Sequence, residues 1–216
     1  MRCRLVGSEM CIRDRFKSGF VNIIGLPNAG KSSIINRLLD DKFSIVTSKA
    51  QTTRHRAHAI INGKNFQVVI SDTPGFTIPK NKIHEYMNKK ILSSFKDADI
   101  ILFIVELGLE NRRDNELIEK IKKIKIPVLL VLNKVDKVNQ DILEKESKFW
   151  SDKIENIETW VVSAKENFNI ENLKNRLIEL LPQGPRYFPD DIWTDKNERF
   201  FANEIIREKI FNIYSK

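Results

Sequence analysis

Cysteine is almost absent from this sequence, and so are long hydrophobic runs. The two cysteines, Cys3 and Cys11, both lie within the first dozen of the 216 residues. Their position excludes a disulfide scaffold and a cysteine-based zinc site in the rest of the chain, and it fits a reducing compartment. No apolar stretch approaches the ~18 residues that a membrane-spanning helix requires. The first residues also lack the apolar stretch of about 7–15 residues that marks a secretory signal.

The composition is typical of a soluble globular protein, with 41% hydrophobic and 31% charged residues. The length suits one domain, or one domain with a fragment of another. The net charge of +8 is diffuse, because residues 1–17 contribute +3 and residues 184–216 contribute nothing. A mild excess spread over amphipathic segments usually marks solvated faces, so the charge alone is weak evidence for a nucleic-acid partner.

Residues 1–17 are interpreted as a non-native or disordered leader outside the fold. The first 15 have neither helical nor strand periodicity. The stretch LVGSEMCIRDR closely resembles a translated sequencing adapter. The alternative is a genuine disordered extension, which mass spectrometry of the protein from its native cell would detect.

From Gly19 onward, short apolar runs alternate with longer amphipathic ones, and Asn62-Gly63 gives a strong hairpin signal. Fully apolar strands that alternate with helices predict a mainly parallel sheet covered on both faces. The expected fold class is therefore α/β, a three-layer domain with about six strands. The predicted strands are Phe20–Ile24, Ala57–Ile61, Phe66–Ile70, Ile100–Val105, Val128–Leu132 and Thr159–Val162. The predicted helices are Lys31–Leu39, Asn115–Ile124, Asp141–Trp150 and Ile170–Leu181.

The segment GLPNAGKS matches the phosphate-binding loop pattern and lies between a predicted strand and a predicted helix. Glycines let backbone N–H groups wrap the phosphates, and the helix N-terminus adds the positive end of its dipole. Lys31 is expected to neutralise the β- and γ-phosphates, and the Ser32 hydroxyl to hold Mg²⁺. The predicted nucleotide contacts are Gly25, Pro27, Asn28, Ala29, Gly30, Lys31, Ser32 and Ser33.

The tetrapeptide Asp72, Thr73, Pro74 and Gly75 follows a predicted strand, about forty residues after the phosphate loop. A carboxylate at the carboxyl end of a strand can reach Mg²⁺ through water, and the Gly75 N–H can meet the γ-phosphate. In isolation such a tetrapeptide is most often a turn. Its place after the first motif favours the functional interpretation.

Two further loops are predicted to read the base. In Asn133, Lys134, Val135 and Asp136, the carboxylate of the last residue suits the N1–H and exocyclic amine of guanine. Adenine offers neither pattern, and a site built on such hydrogen bonds can reject it by about 10⁴-fold. A second loop with a main-chain N–H for the base is formed by Ser163, Ala164 and Lys165.

Residues 48–56 are polar and weakly periodic, which predicts a mobile loop that closes on the γ-phosphate. Its threonine is expected to complete the Mg²⁺ shell, with Thr53 as the first choice and Thr52 as the second. The predicted metal ligands are Ser32, Thr53 and Asp72. A plain solvated loop is the alternative.

The C-terminal part is predicted to be a separate unit. Prolines and Gly184 interrupt the alternation after residue 181, and apolar residues then recur at near-helical spacing over Asn197–Tyr214. We expect a domain over residues 18–183, then a linker and one helix over residues 184–216. A lone helix cannot bury its own apolar face, so we expect further chain beyond Lys216. The alternative is a helix docked back on the main domain.

The motif order GLPNAGKS, KAQTTRHR, DTPGF, NKVD and VSAK resembles the Era family of bacterial GTPases, as do YFPDD and RFFANEIIREK in the tail. The resemblance covers about residues 18–216. It implies a P-loop GTPase domain that hydrolyses GTP to GDP and phosphate with Mg²⁺. It also implies a KH domain, of which this chain would contain only the first helix and no Gly-x-x-Gly loop.

The same resemblance implies a role in small-ribosomal-subunit assembly, with small-subunit ribosomal RNA and the 30S subunit as partners. It implies a cytoplasmic monomer with some peripheral association at the inner membrane. Two alternatives remain: a GTPase of tRNA modification or cell division, and a nucleotide-binding interaction module with negligible turnover. An ATPase is disfavoured by Asp136.

The residue after Gly75 predicts slow intrinsic hydrolysis. Many small GTPases orient the attacking water with a glutamine there, whereas Phe76 has no hydrogen-bonding group. GTPases that resemble this one use an asparagine at the position of Asn28 to hold potassium against the β- and γ-phosphates. The alternative is that Asn28 caps its own turn. The catalytic set is therefore predicted to be Lys31, Thr53, Asp72, Gly75 and Asn28.

Overall fold

The structure, a computed structural model, describes residues 16–41, 43–44, 56–73, 75–76, 95–108, 115–154 and 157–213. Within these ranges the chain forms one six-stranded sheet with helices packed on it. In chain order the strands are β1 (Lys17–Gly25), β2 (Ala57–Asn62), β3 (Phe66–Asp72), β4 (Ile100–Glu106), β5 (Val128–Asn133) and β6 (Glu158–Val161). The helices are α1 (Lys31–Leu39), α2 (Asn115–Lys122), α3 (Gln140–Lys153), α4 (Ile170–Leu180) and α5 (Glu198–Ile213).

The sheet has the strand order β2-β3-β1-β4-β5-β6. Only β2 runs antiparallel to its neighbour, and every other adjacent pair is parallel. The carboxyl ends of the parallel strands therefore share one edge of the sheet. Strand order diverges from β1 to either side, and in open α/β sheets a ligand crevice forms at the carboxyl ends beside such a point.

The strand β4 is apolar along its length because both of its faces are covered. Ile100, Leu102 and Ile104 belong to a core cluster that includes residues of α1 and α4. The alternate residues Ile101 and Phe103 belong to a second cluster with residues of α2 and α3. The two clusters make three layers, so the predicted α/β fold class is confirmed. In the described ranges, no helix is both long enough and apolar enough to cross a membrane.

The predicted hairpin is present, and β2 extends one residue further than predicted, to Asn62. Asn62 remains in β2 and pairs with Gln67, so the turn consists of residues 63–65. The Gly63 N–H donates to the Phe66 carbonyl at 2.9 Å. A Cβ on Gly63 would lie 2.2 Å from the Phe66 ring, so the close approach of this ring accounts for the glycine.

The domain begins earlier than the sequence analysis assigned. Lys17 lies in β1, pairs with Phe66 and forms an isolated bridge with Gln183. Phe16 accepts a hydrogen bond from the Gly184 N–H at 3.1 Å. The leader boundary at residue 17 is therefore wrong, because β1 begins at Lys17 and Phe16 is hydrogen-bonded to Gly184. Residues 1–15 lie outside the described residues.

The segment after residue 184 is not a free linker, because it follows the open edge of β2. The Trp193 carbonyl accepts from the Ile60 N–H at 2.8 Å, and Thr194 forms a bridge with Ala59. The buried Gln67 side chain accepts from the backbone N–H groups of residues 187 and 188 at 2.8 and 3.0 Å. Its amide also donates to the carbonyl of residue 188. These bonds satisfy an edge that would otherwise expose backbone donors and acceptors.

The helix α5 docks by its first turn and exposes the rest of its apolar face. The Phe201 ring lies 5.9 Å from Phe43 and 5.1 Å from Trp193, measured between ring centroids. Further along, Ile206 and Ile213 are exposed by 58% and 73%. The first turn of α5 thus agrees with the alternative of a docked helix, and the remainder agrees with the expected helix that leaves its apolar face uncovered.

Candidate functional site

The phosphate-loop motif connects the end of β1 to the start of α1. Gly25 and Gly30 have φ values of 151° and 95°, and Asn28 has a φ of 64°. A Cβ would lie 2.2 Å from the Ile104 carbonyl oxygen at Gly25 and 2.1 Å from the Asn133 amide nitrogen at Gly30. Both glycines are therefore required by backbone conformation and by close approach. Asparagine tolerates the left-handed region better than most residues, which explains part of the choice at position 28.

Lys31 is buried beneath this loop. Its Nζ donates to the carbonyl oxygens of Leu26 at 2.8 Å and Gly25 at 3.2 Å. Burial lowers the pKa of Lys31 to about 8, although the Asp72 carboxylate acts in the opposite direction. A buried cation that donates to neutral carbonyl oxygens favours an anionic ligand, and a phosphate group supplies one.

Asp72 ends β3 beside the first turn of α1, so two of the predicted metal ligands meet. Its Oδ2 accepts from the Ser32 hydroxyl at 3.5 Å and from the Ser44 hydroxyl at 2.7 Å. Carboxylate and hydroxyl oxygens suit Mg²⁺, which keeps several waters and few protein ligands. The residues present therefore fit this ion. Thr53 and its alternative Thr52 lie outside the described residues.

Ser44 belongs to no sequence motif and was not predicted as a site residue. The Asn36 side chain holds it: Oδ1 accepts from the N–H groups of Phe43 and Ser44 at 3.1 and 2.8 Å, and Nδ2 donates to the Ser44 carbonyl. Because Phe43 also contacts Trp193 and Phe201, the segment beside Asp72 is packed against the C-terminal part of the chain.

The second motif lies directly over the phosphate loop. A Cβ on Gly75 would be 2.9 Å from the Pro27 Cα and 3.1 Å from the Lys31 Nζ, so only glycine fits. Thr73 donates its hydroxyl to the Ile23 carbonyl, inside the fold. Phe76 is buried in the core cluster of α2 and α3, and its N–H donates to the Gly25 carbonyl at 3.0 Å. Pro74 lies outside the described residues.

Asn133 connects three loops at the carboxyl end of β5. Its Nδ2 donates to the Ala29 carbonyl at 2.9 Å, and its Oδ1 accepts from the Ala164 N–H at 3.1 Å. The neighbouring Lys134 donates to the Asn28 carbonyl at 2.8 Å and pairs with Glu106 at 2.7 Å. Glu106 ends β4, and no sequence motif pointed to it. The predicted phosphate and base motifs are thus joined by direct hydrogen bonds.

The Asp136 carboxylate is oriented by a hydrogen bond and can accept further hydrogen bonds. The Ser163 hydroxyl donates to its Oδ1 at 2.5 Å, and this bond is the main reason that the pKa of Asp136 lies below its usual range. The carboxylate is therefore ionised at neutral pH. The Ser163 Oγ in turn accepts from the Glu166 N–H at 3.1 Å.

A cleft of about 620 Å³ lies between α1 and the two base-reading loops. Its lining includes Gly30, Ser33, Asn133, Asp136 and Lys165. Ligand clefts of ~300–1,000 Å³ are common for small molecules and cofactors. The phosphate loop at one side, the acidic acceptor at another and the size together suit a purine nucleotide whose base donates hydrogen bonds.

Comparison with known proteins agrees with this geometry. Residues 20–134 match the family model described as 50S ribosome-binding GTPase. A GTPase Era from Clostridium botulinum is 42% identical over 202 residues, which is 93% of this chain and 68% of that protein.

Two solved structures are also similar over 91% of this chain and 67% of theirs, at 35% identity. One is an Aquifex aeolicus Era variant bound to GDP·AlF₄⁻, with a TM-score of 0.84. The other is Era in complex with MgGDPNP and nucleotides 1506–1542 of 16S ribosomal RNA, with a TM-score of 0.82.

Proposed function

This chain belongs to the Era family of GTPases and hydrolyses GTP to GDP and phosphate, and on that premise we propose that it is a guanine-nucleotide switch that assists small-ribosomal-subunit assembly and rRNA maturation. The observation that carries the nucleotide part is the Asp136 carboxylate, oriented by Ser163 at the cleft. An acceptor fixed in this way pairs with the N1–H and the exocyclic amine of guanine, and adenine leaves it unsatisfied.

We assign three roles in the bound state. Asn133, Lys134, Asp136 and the loop Ser163–Lys165 bind the base. The phosphate loop and Gly75 surround the phosphates, with the Lys31 ammonium against the β- and γ-phosphates. The proposed nucleotide-binding residues are Gly25, Pro27, Asn28, Ala29, Gly30, Lys31, Ser32, Ser33, Asp72, Thr73, Pro74, Gly75, Asn133, Lys134, Asp136, Ser163, Ala164 and Lys165. The proposed Mg²⁺ ligands are Ser32, Thr53 and Asp72.

Hydrolysis rests on positioning and charge. Mg²⁺, when bound, supplies positive charge to the phosphate oxygens on which negative charge develops. Lys31 adds a cation that the surrounding loop holds in place, so little reorganisation is needed in the transition state. The buried Phe76 cannot orient a water by hydrogen bonding, and we infer a slow intrinsic rate from it. We propose that the Asn28 side chain binds K⁺ against the β- and γ-phosphates and supplies the missing charge.

The ribosomal part of the proposal is supported by the relative that binds a 16S rRNA segment. We propose the G domain over residues 18–183 with Phe16 and Lys17 added, and the linker and first helix of a KH domain over residues 184–216. We also propose a cytoplasmic monomer with peripheral association at the inner membrane, on the ground of the family resemblance. A tRNA-modification or cell-division GTPase is the second candidate.

Co-sedimentation tests the ribosomal part. Purified 30S and 50S subunits and bulk tRNA are each mixed with this chain in the presence of GDP or a non-hydrolysable GTP analogue. The proposal predicts retention on 30S subunits that is stronger with the GTP analogue. Retention on 50S subunits alone, on tRNA alone, or on none of the three would contradict it. Lys31→Ala, which cannot hold the phosphates, is the control for nucleotide dependence.

A further inference from the structure

We propose that Arg37 is a positioning residue for base recognition: it fixes the loop Ser163–Lys165, called the base loop here, and thereby sets the preference for guanine. This inference rests on the proposed nucleotide site and adds to it a residue outside every motif. Arg37 lies near the end of α1, on the wall of the cleft.

The Arg37 guanidinium holds two successive carbonyl groups of the base loop. Its Nε donates to the Ala164 carbonyl at 2.8 Å, and its Nη2 donates to the Lys165 carbonyl at 3.1 Å. The planar guanidinium presents its N–H groups in a fixed fork, so two bonds to one loop define the orientation of that loop. A lysine ammonium is a single point charge and cannot reproduce this geometry.

The two carbonyl bonds determine where the opposite edges of the peptides point. In a trans peptide the N–H and the C=O point in opposite directions. The Lys165 carbonyl is directed to Arg37, and the N–H of the same peptide, at Glu166, donates to the Ser163 Oγ at 3.1 Å. The Ser163 hydroxyl in turn donates to Asp136 at 2.5 Å. A continuous chain of hydrogen bonds therefore runs from Arg37 to the guanine-reading carboxylate.

The bond to Ala164 acts on the other side of the base loop. The Ala164 carbonyl is held by Arg37, so the N–H of that peptide, at Lys165, is directed away from α1. The Ala164 N–H itself donates to Asn133 at 3.1 Å. These contacts leave the loop with one orientation of its main-chain donors, which is what selection among bases requires.

Arg37 also connects the base loop to the phosphate site through a rigid element. It lies six residues after Lys31 on α1, a distance of about 9 Å at the helical rise. The same helix thus presents the phosphate-binding lysine at its start and the support of the base loop near its end. This arrangement fixes the separation of the phosphate and base subsites.

The test compares GDP and ADP in competition against a fluorescent guanine nucleotide. Both ligands have the same diphosphate, so ADP reports the phosphate subsite and GDP reports both subsites. For Arg37→Ala we expect the GDP dissociation constant to rise about tenfold and the ADP dissociation constant to stay within about twofold. A tenfold change is at the lower end of the range for hydrogen bonds to charged groups, because the contacts of Arg37 are partly exposed. Arg37→Lys should recover part of the loss.

The matched control is Arg176→Ala. Arg176 also lies on a helix and makes short bonds, but its partners Glu158 and Glu179 do not line the cleft. We expect its removal to leave the ratio of GDP to ADP affinity unchanged. Urea unfolding of each variant provides the global stability for comparison.

The possible outcomes distinguish failure of the proposed nucleotide site from failure of the role of Arg37. If the wild-type protein bound ADP as tightly as GDP, the proposed function would be wrong. If the wild type preferred GDP and Arg37→Ala weakened both nucleotides equally, Arg37 would serve only to stabilise α1, and the positioning role would be excluded. Unchanged GDP binding in Arg37→Ala would exclude it as well.

Discussion

The side-chain amide of Asn133 lies 2.9 Å from the carbonyl oxygen of Ala29, so the end of β5 is bonded directly to the phosphate loop. The same side chain accepts from the base loop through the Ala164 N–H. One buried residue therefore holds the phosphate and base subsites in register.

Replacing Asn133 should damage binding and stability together. Asn133→Ala leaves a buried carbonyl and a buried N–H without their partner, and each such group costs about 1–3 kcal/mol. We expect a loss of about 3 kcal/mol in unfolding free energy and a nucleotide affinity lower by more than about tenfold. Urea denaturation and calorimetric titration measure the two effects. Asn172→Ala removes only an exposed side-chain bond and should change stability by less than about 0.5 kcal/mol.

Proton uptake should accompany nucleotide binding at alkaline pH. Burial lowers the pKa of Lys31 to about 8 in the free protein, and phosphates at this site would raise it. Above about pH 8 the free protein has a neutral Lys31, so binding must take up a proton and the affinity must fall as pH rises. The same shift means that Lys31 takes up a proton on unfolding between about pH 8 and 10.5. Below this window, burial of the charged lysine therefore lowers the stability of the fold, and this destabilisation disappears as the pH rises through the window.

Titration of GDP in two buffers of different ionisation enthalpy measures this uptake. We expect most of a proton at pH 8.5 and almost none at pH 7. Lys31→Arg stays charged at both values and should lose the uptake. Equal and negligible uptake at both pH values in the wild type would refute the shifted lysine.

Much of the fold was predictable because local pattern and tertiary environment agree. The helix over Lys31–Leu39 and the strand from Ile100 are where periodicity placed them. The hairpin was predicted, but its turn was not, because the Phe66 ring against Gly63 is a contact between side chain and backbone. The course of the segment after residue 184 was also missed. Proline and glycine exclude a regular helix there, but they give no indication that the Gln67 side chain binds the backbone of this segment.

For the candidate site, the motifs identified residues whose side chains are suited to binding phosphate, Mg²⁺ or a base. The structure places Gly30 and Asp136 on the wall of the cleft, and it brings Lys31 and Ser32 of α1 beside Asp72. Ser44, Glu106 and Arg37 were not found. Each acts through a bond to a segment distant in sequence, and a serine, a glutamate or an arginine outside a motif carries no signal in a single sequence.

The aromatic cluster of Phe43, Trp193 and Phe201 should hold the start of α5. Phe43 is buried, and truncation of a buried phenylalanine typically costs about 3–5 kcal/mol. We therefore expect Phe43→Ala to lower the unfolding free energy by about 3 kcal/mol and to speed tryptic cleavage after Lys196, since that site is exposed by local opening. Ile206→Ala, at an exposed position of α5, should change neither quantity appreciably.

Potassium should accelerate hydrolysis if the Asn28 side chain holds the cation. GTP turnover is measured in potassium and in sodium chloride at equal ionic strength, and we expect faster release of phosphate in potassium. Asn28→Gly removes the amide and tolerates the φ of 64°, so it should abolish the difference without straining the loop. Equal rates in both salts for the wild type would leave Asn28 a structural role in its own turn.

If the Asp136 carboxylate pairs with guanine, replacing it with an amide should change the base that the protein prefers. In Asp136→Asn the amide can donate to the extra carbonyl that xanthine has in place of the guanine amine. The affinities of both proteins for guanosine and xanthosine diphosphates are measured by competition. We expect the wild type to prefer GDP and Asp136→Asn to prefer xanthosine diphosphate, with Lys31 and the phosphate contacts unchanged. An unchanged preference for GDP in Asp136→Asn would contradict this pairing.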